Sequence, residues 1–275
     1  MTAGGIARRP RAGSWLLHAA AYAVIVFLLL PTLIIGPISF GPDKYLKFPP
    51  DGFTLKWYSA YFADRDWIEA TLFSAKAGLL SALLATVIGT MLALALVRGR
   101  LPLRRLFELL VVGPVIVPHI ALAVATFLVF ERLYLTGTLA GFAAAHTVLG
   151  LPFAVFTILA ALSQFDADLE MAAMSCGAGR VRTFFHVTLP LIMPGVLSAA
   201  LFAFIISFDE AVISFFISDL DQKSLPRKMF EDIDFDVSPV LAAVATLLSL
   251  LSVAVLLIGH ILRRATTAGD AEATR

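Results

Sequence analysis

An all-α polytopic membrane protein of about six transmembrane helices is predicted by three observations. The 275-residue chain is 59% hydrophobic and 15% charged, whereas soluble domains carry roughly 25% charged residues. Its mean hydropathy is +0.89. Several apolar stretches exceed the ~20 residues needed to cross a hydrocarbon layer about 30 Å thick. Run length excludes a soluble globule with a large core, and the chain reads as one transmembrane domain, 1–275.

The first span, Leu16–Phe40, follows Arg8, Arg9 and Arg11. A secretion signal starts in the same way, but its apolar region runs only about 7–15 residues. This run is longer and lacks a small-residue cleavage site, so it reads as a retained membrane helix. Five further spans are expected at Thr71–Val97, Leu106–Phe130, Thr138–Leu162, Leu191–Ile217 and Ser238–Leu262. Pro114 and Pro118 in the third and Pro152 in the fourth should kink their helices. Gly78/Ala82 and Ala85/Gly89 stand at small-xxx-small spacing, which lets helices approach closely.

Cationic residues orient the spans. Arg8, Arg9, Arg11, Arg98, Arg100, Arg104, Arg105, Arg180, Arg182, Arg263 and Arg264 all fall on one side. The positive-inside rule makes that side cytoplasmic, with both termini inside. On the other side, Leu55–Phe62 is amphipathic and aromatic, suited to the membrane interface. The outer loop 218–237 sets Asp219, Asp221, Glu231, Asp232, Asp234 and Asp236 against Lys223, Arg227 and Lys228, which would suit an anionic vestibule.

Other classes find little support. The single cysteine, Cys176, excludes an internal disulfide, and no Cys/His cluster has metal-ligand spacing. A net charge of +1 gives no bulk attraction to nucleic acid. There is no GxxxxGK[ST] loop, so nucleotide chemistry must come from another chain.

One polar island interrupts the apolar pattern, Asp166–Pro190, within a cytoplasmic loop of about 163–190. Asp166 can cap a helix whose first turn holds Asp168 and Glu170, charges that suit a helix N-terminus. Leu169, Ala172, Ala173 and Cys176 share one face, and Gly177 fits the left-handed position that ends a helix. A second helix follows, with Phe184, Phe185 and Val187 as its apolar content and Pro190 as its expected stop. This pattern resembles the EAA loop of the membrane subunits of ATP-binding-cassette importers. Met171-Ala172-Ala173, Gly177, Val187 and Leu189-Pro190 stand at the family's spacings. Two positions depart from it: Met171 replaces the usual glutamate and Val187 an isoleucine, while Glu170 carries a carboxylate one residue earlier.

The resemblance implies a fold like that of type I ABC importer permeases and a coupling helix seated in a groove of an ATPase subunit. It further implies an ABC ATPase dimer that binds ATP and Mg, a second permease subunit and an extracytoplasmic substrate-binding protein. It implies no cofactor and no catalytic residue in this chain, which would sit in the bacterial inner (plasma) membrane.

A second feature is Ser207-Phe208-Asp209-Glu210, about 18 residues or ~27 Å of helix rise beyond Leu191, toward the outer end of the fifth span. A central Asp costs ~2.5–3.5 kcal/mol to insert, so these acids should face a wet path or a cation. A pair at the helix end, or one bonded to Lys76, is the structural alternative. The segment from Ser207 to Glu210, with Leu225-Pro226 and Ser238-Pro239, looks like the polyamine (spermidine/putrescine) branch of these permeases. Carboxylates beside Phe208, Phe215 and Phe216 would suit ammonium groups on a thin apolar stem. The same acids would equally serve as an outer gate.

His119 and His146 lie within spans, where they serve either proton transfer or a hydrogen bond to a neighbouring helix. The sequence leaves open other solutes (opine, phosphonate or amino-acid-like) and the identity of the paired permease. An intramembrane enzyme would need a second catalytic cluster, and none is found. An ion-coupled secondary carrier would show internal repeats and leave the cytoplasmic island unexplained.

Overall fold

The computed structural model describes residues 13–99, 102–219, 222–235 and 238–254. Every regular element among them is helical: α1 (Gly13–Ser39), α2 (Lys56–Ala63), α3 (Arg65–Arg98), α4 (Arg104–Ile116), α5 (His119–Leu133), α6 (Leu139–Ser163), α7 (Asp168–Ser175), α8 (Arg180–Thr183), α9 (Leu189–Phe208), α10 (Val212–Ile217), α11 (Leu225–Phe235) and α12 (Pro239–Ala254). The chain divides into two compact units, Met1–Asp64 with Asp232–Arg275, and Arg65–Glu231.

In the first unit α1 supplies a span, Leu17–Ser39, whose apolar side chains are exposed, as a lipid-facing helix requires. Its end is fastened to the loop that follows. Ser39 Oγ pairs with Tyr58 Oη at 2.6 Å, and Trp57 Nε1 donates to Gly41 O at 2.8 Å. Phe40 stacks on Phe53 at 4.8 Å. The expected interfacial segment thus forms α2, with Leu55 before it and Phe62 within it exposed, and Lys56 over the Trp57 ring. The expected sixth span is described as far as Ala254, and 255–262 lie outside the described residues, as do the terminal arginines and Arg100.

The second unit is centred on α3, α6 and α9. Small residues face one another there: Ala85, Ala93, Ala154, Ala199 and Ala203 are fully buried, with Ile158 and Ile192 between them. With no side chain at Gly89, Ala154 can sit where a Cβ would meet it at 3.0 Å, and at Gly195 a Cβ would lie 2.4 Å from that of Ala161. Lipid offers Leu no less apolar a surrounding than protein does, so this close approach is what holds the helices together. Gly78 and Gly89 of the expected small-residue pairs both lie on these contacts, and Ala82 and Ala85 are buried beside them.

Two expected spans are broken. The third, Leu106–Phe130, is not a kinked helix but two helices, α4 and α5, meeting at 105°. Pro118 has no N–H and drives the residue before it out of the helical region, and Val117 is extended at φ −70°, ψ 132°. By contrast Pro114 is accommodated inside α4, and α6 runs through Pro152 as one helix. The fifth span, Leu191–Ile217, stops at Phe208 and resumes as the six-residue α10. Four described helices are long and apolar enough to cross a membrane, or five if α4 and α5 together make one crossing.

Candidate coupling element and translocation path

The island folds as two helices. Asp166 Oδ1 accepts from Asp168 N, the first residue of α7, at 2.9 Å, so it meets the first turn from one position before the N-cap, Ala167. At the other end Gly177 has φ +87°. Its N–H donates to Met174 O at 3.0 Å and Ala178 N–H to Ala173 O at 3.1 Å, the paired bonds that close a helix through a left-handed residue. No residue of α7 is buried. Leu169, Met171, Met174 and Cys176 are exposed, and Ala172 with them.

Glu170 is the exception on α7, its side chain 14% exposed. Its Oε1 pairs with the Arg98 guanidinium at the end of α3 and accepts from Thr188 Oγ1, itself fully buried. Arg98 also lies over the Phe165 ring at 5.4 Å. The carboxylate beside the unusual Met171 therefore faces the protein's own membrane helices, while Met171 points outward. Arg98 entered the sequence reading only as one of many cytoplasmic cations, and Thr188 not at all.

Pro190 does not stop the second helix. Phe184–Thr188 form a π-helical turn between α8 and α9, in which Leu189 N–H donates to Phe184 O. A proline ring clashes with the carbonyl four residues back in a regular helix, and a π turn shifts that register by one residue. The result is one continuous helix, Arg180–Phe208, with Val187 half-buried and Leu189 and Pro190 inside it.

The acidic pair sits at the break beyond Phe208, not inside a continuous span, and its two members differ. Glu210 is buried, and its Oε1 accepts from Ile213 N at 2.9 Å, capping α10. Asp209 is exposed. Phe208 stacks on Phe204 with centroids 5.5 Å apart. Both acids border a cavity of about 280 Å³ whose walls include Pro114, His119, Phe153 and Ile206. The break in the third span thus brings His119, the first residue of α5, beside the break in the fifth. Lys76 lines a different cavity, with Asp66, Glu69 and Lys223, and no described ion pair joins it to either acid.

His146 is 1% exposed and spans the same break from α6, with Nδ1 2.8 Å from Ser207 Oγ and Nε2 3.3 Å from Ser214 Oγ. Beyond it, Lys223 contacts Asp66 at 2.9 Å and Glu231 at 3.1 Å, Lys228 reaches Asp66 at 2.9 Å, and Arg227 reaches Glu231 at 2.9 Å. Arg227 also covers Phe215 at 3.9 Å. Glu231, counted among the acids of an anionic vestibule, is thus matched by cations, while Asp221 and Asp236 lie outside the described residues. Among the described residues no group of His, Cys, Asp and Glu could hold a metal ion.

Comparison with known proteins gives this architecture its context. Residues 85–267 match the family described as "Binding-protein-dependent transport system inner membrane component". The spermidine/putrescine transport system permease protein PotC of Haemophilus influenzae is 30% identical over 250 residues, covering 91% of this chain and 97% of that one. The putrescine transport system permease protein PotI of Escherichia coli is 30% identical over 234 residues, 81% of each chain. Among solved structures, a bacterial ABC transporter that imports the acidic polysaccharide alginate has the same fold. It aligns at a TM-score of 0.68 with 14% identity over 93% of this chain and 98% of that one. A second alginate transporter structure, in complex with a periplasmic protein bound to an alginate pentasaccharide, aligns at 0.67 with 17% identity over 92% and 95%. With its all-helical fold, its membrane-length spans and this match over two-thirds of its length, the chain belongs to the inner-membrane components of binding-protein-dependent transport systems.

Proposed function

We propose that this chain is one permease subunit of an ATP-driven importer and that its cargo is a small polyamine of the spermidine or putrescine kind. The exposed α7, closed by Gly177, docks in an ABC ATPase subunit, which binds the ATP and Mg. A second permease completes the path, and an extracytoplasmic binding protein delivers the solute. Both termini lie in the cytoplasm. The alginate transporter seen with its periplasmic protein and the names of the polyamine relatives support this assembly.

The observation that carries the substrate reading is the exposed Asp209 carboxylate, next to Phe208 in the chain, in the lining of a mostly apolar cavity. A carboxylate attracts an ammonium group, and an aromatic face adds cation–π attraction. Glu210, buried and capping α10, acts there as a structural residue. Asp209→Asn should lower spermidine uptake by about tenfold, the equivalent of ~1.4 kcal/mol, in proteoliposomes holding the full transporter and its binding protein. Full spermidine uptake by the variant would overturn the role of Asp209, and uptake of no polyamine by the wild type would overturn the cargo.

A further inference from the structure

We infer that Glu170 is a positioning residue that clamps α7 to two membrane helices at once, so that displacement of α7 moves α3 together with α9. Its carboxylate meets Arg98, 72 residues earlier at the end of α3, and Thr188, 18 residues later at the end of the π turn leading to α9. The side chains of Glu170 and Arg98 are 14% and 31% exposed, so the carboxylate is largely covered while the guanidinium still meets solvent. A charge-assisted bond from a guanidinium to a carboxylate is more directional than a contact between neutral groups. Thr188 is fully buried and Arg98 also lies over the Phe165 ring, so both partners have further contacts that limit their movement.

The clamp answers a mechanical need. A docking helix of eight residues, with none of them buried, has no packed core of its own to resist tilting. Its C-terminal side is covalently continuous with α9 through α8 and the π turn, but nothing covalent ties it to α3. Without the Arg98–Glu170 bond, a push on α7 would reach α3 only indirectly, through the packing of α3 against α6 and α9. This assignment rests on the reading of α7 as the ATPase-docking element.

The test is a distance measurement joined to a transport ratio. Spin labels are placed at Val97→Cys on α3 and Asp168→Cys on α7 in a Cys176→Ser background, in the complete transporter reconstituted in lipid nanodiscs. The clamp predicts a narrow distance distribution that does not change when ATP is added. Glu170→Gln and Arg98→Gln should each broaden it, and each should lower spermidine imported per ATP hydrolysed by about fivefold. The exchanged pair Arg98→Glu with Glu170→Arg should restore both, which a loss of folding could not. Thr188→Val, nearly isosteric, should give partial broadening and stands in if the charge variants do not assemble. An unchanged distribution and ratio in Glu170→Gln would overturn the clamp. Co-purification of the ATPase subunit with an Ala173→Trp variant at the wild-type level would instead overturn the docking reading, and the distances would still decide the clamp.

Discussion

His146 Nδ1 lies 2.8 Å from Ser207 Oγ, and this bond ties the first third of α6 to the last turn of α9 just before that helix breaks. An imidazole donates at one nitrogen and accepts at the other. With Ser214 Oγ on its far side, His146 holds both flanks of the break from one ring. It packs edge-on against Phe142, 5.6 Å between centroids.

His146→Leu should therefore destabilise the protein by about 1–2 kcal/mol, since two buried hydroxyls lose a partner. Thermal unfolding in detergent reads this loss. Ser207→Ala in the His146→Leu background should add little, because the bond it would break is already gone.

The two acids at the break should separate cleanly. Glu210→Ala removes the acceptor of Ile213 N and should cost about 1 kcal/mol of stability, as loss of a helix cap does. Asp209→Asn should leave the unfolding midpoint in place. Equal midpoints for both variants would contradict the division between a capping Glu210 and an open Asp209.

Gly195 is where α9 comes closest to α6, and Gly195→Ala would put a methyl 2.4 Å from the Ala161 Cβ. Overpacking of this kind costs about 1–3 kcal/mol. Pairing it with Ala161→Gly should recover most of the loss in the same melting experiment.

The outer ionic cluster sets a pH window. Burial raises the Glu231 carboxyl, but hydrogen bonds from Arg227 and Lys223 outweigh it and hold that group below its ordinary range. Burial lowers Lys223, yet its bonds to Asp66 and Glu231 carry it above the usual lysine value. A lowered carboxyl contributes stability above its unfolded pKa of 4.5 and loses it as pH falls through the folded value. A raised lysine contributes below 10.5 and loses it as pH rises further. Thermal midpoints across pH should form a plateau between these limits, and Glu231→Gln should flatten its acid side.

The all-helical membrane fold and the short helix α7 were legible in the sequence because each depends on short-range chemistry. Run length marks a span, and Gly177 marks the turn that a left-handed residue closes. The breaks were not legible. Pro118 and Pro190 look alike in sequence, but one bends the chain by 105° while the other passes through a π turn. Neighbouring helices decide which outcome a proline has. Likewise Asp209 and Glu210 are adjacent and chemically alike, and only the end of α9 at Phe208 turns one inward and leaves the other open. The partner of Glu170 lay 72 residues away, beyond any local pattern.

The π turn also has a consequence for stiffness. Because it admits Pro190 without interruption, Arg180–Phe208 is a single rod of 29 residues, about 43 Å long at 1.5 Å per residue. Its N-terminal end adjoins α7, and its far end stops one residue short of Asp209. A continuous helix converts tilt at its base into travel at its tip. A tilt of about 5° would carry the tip through about 4 Å, the width of a carboxylate's grip on a cation. A break at Pro190, or at Pro194 which also lies inside the helix, would have absorbed that stroke.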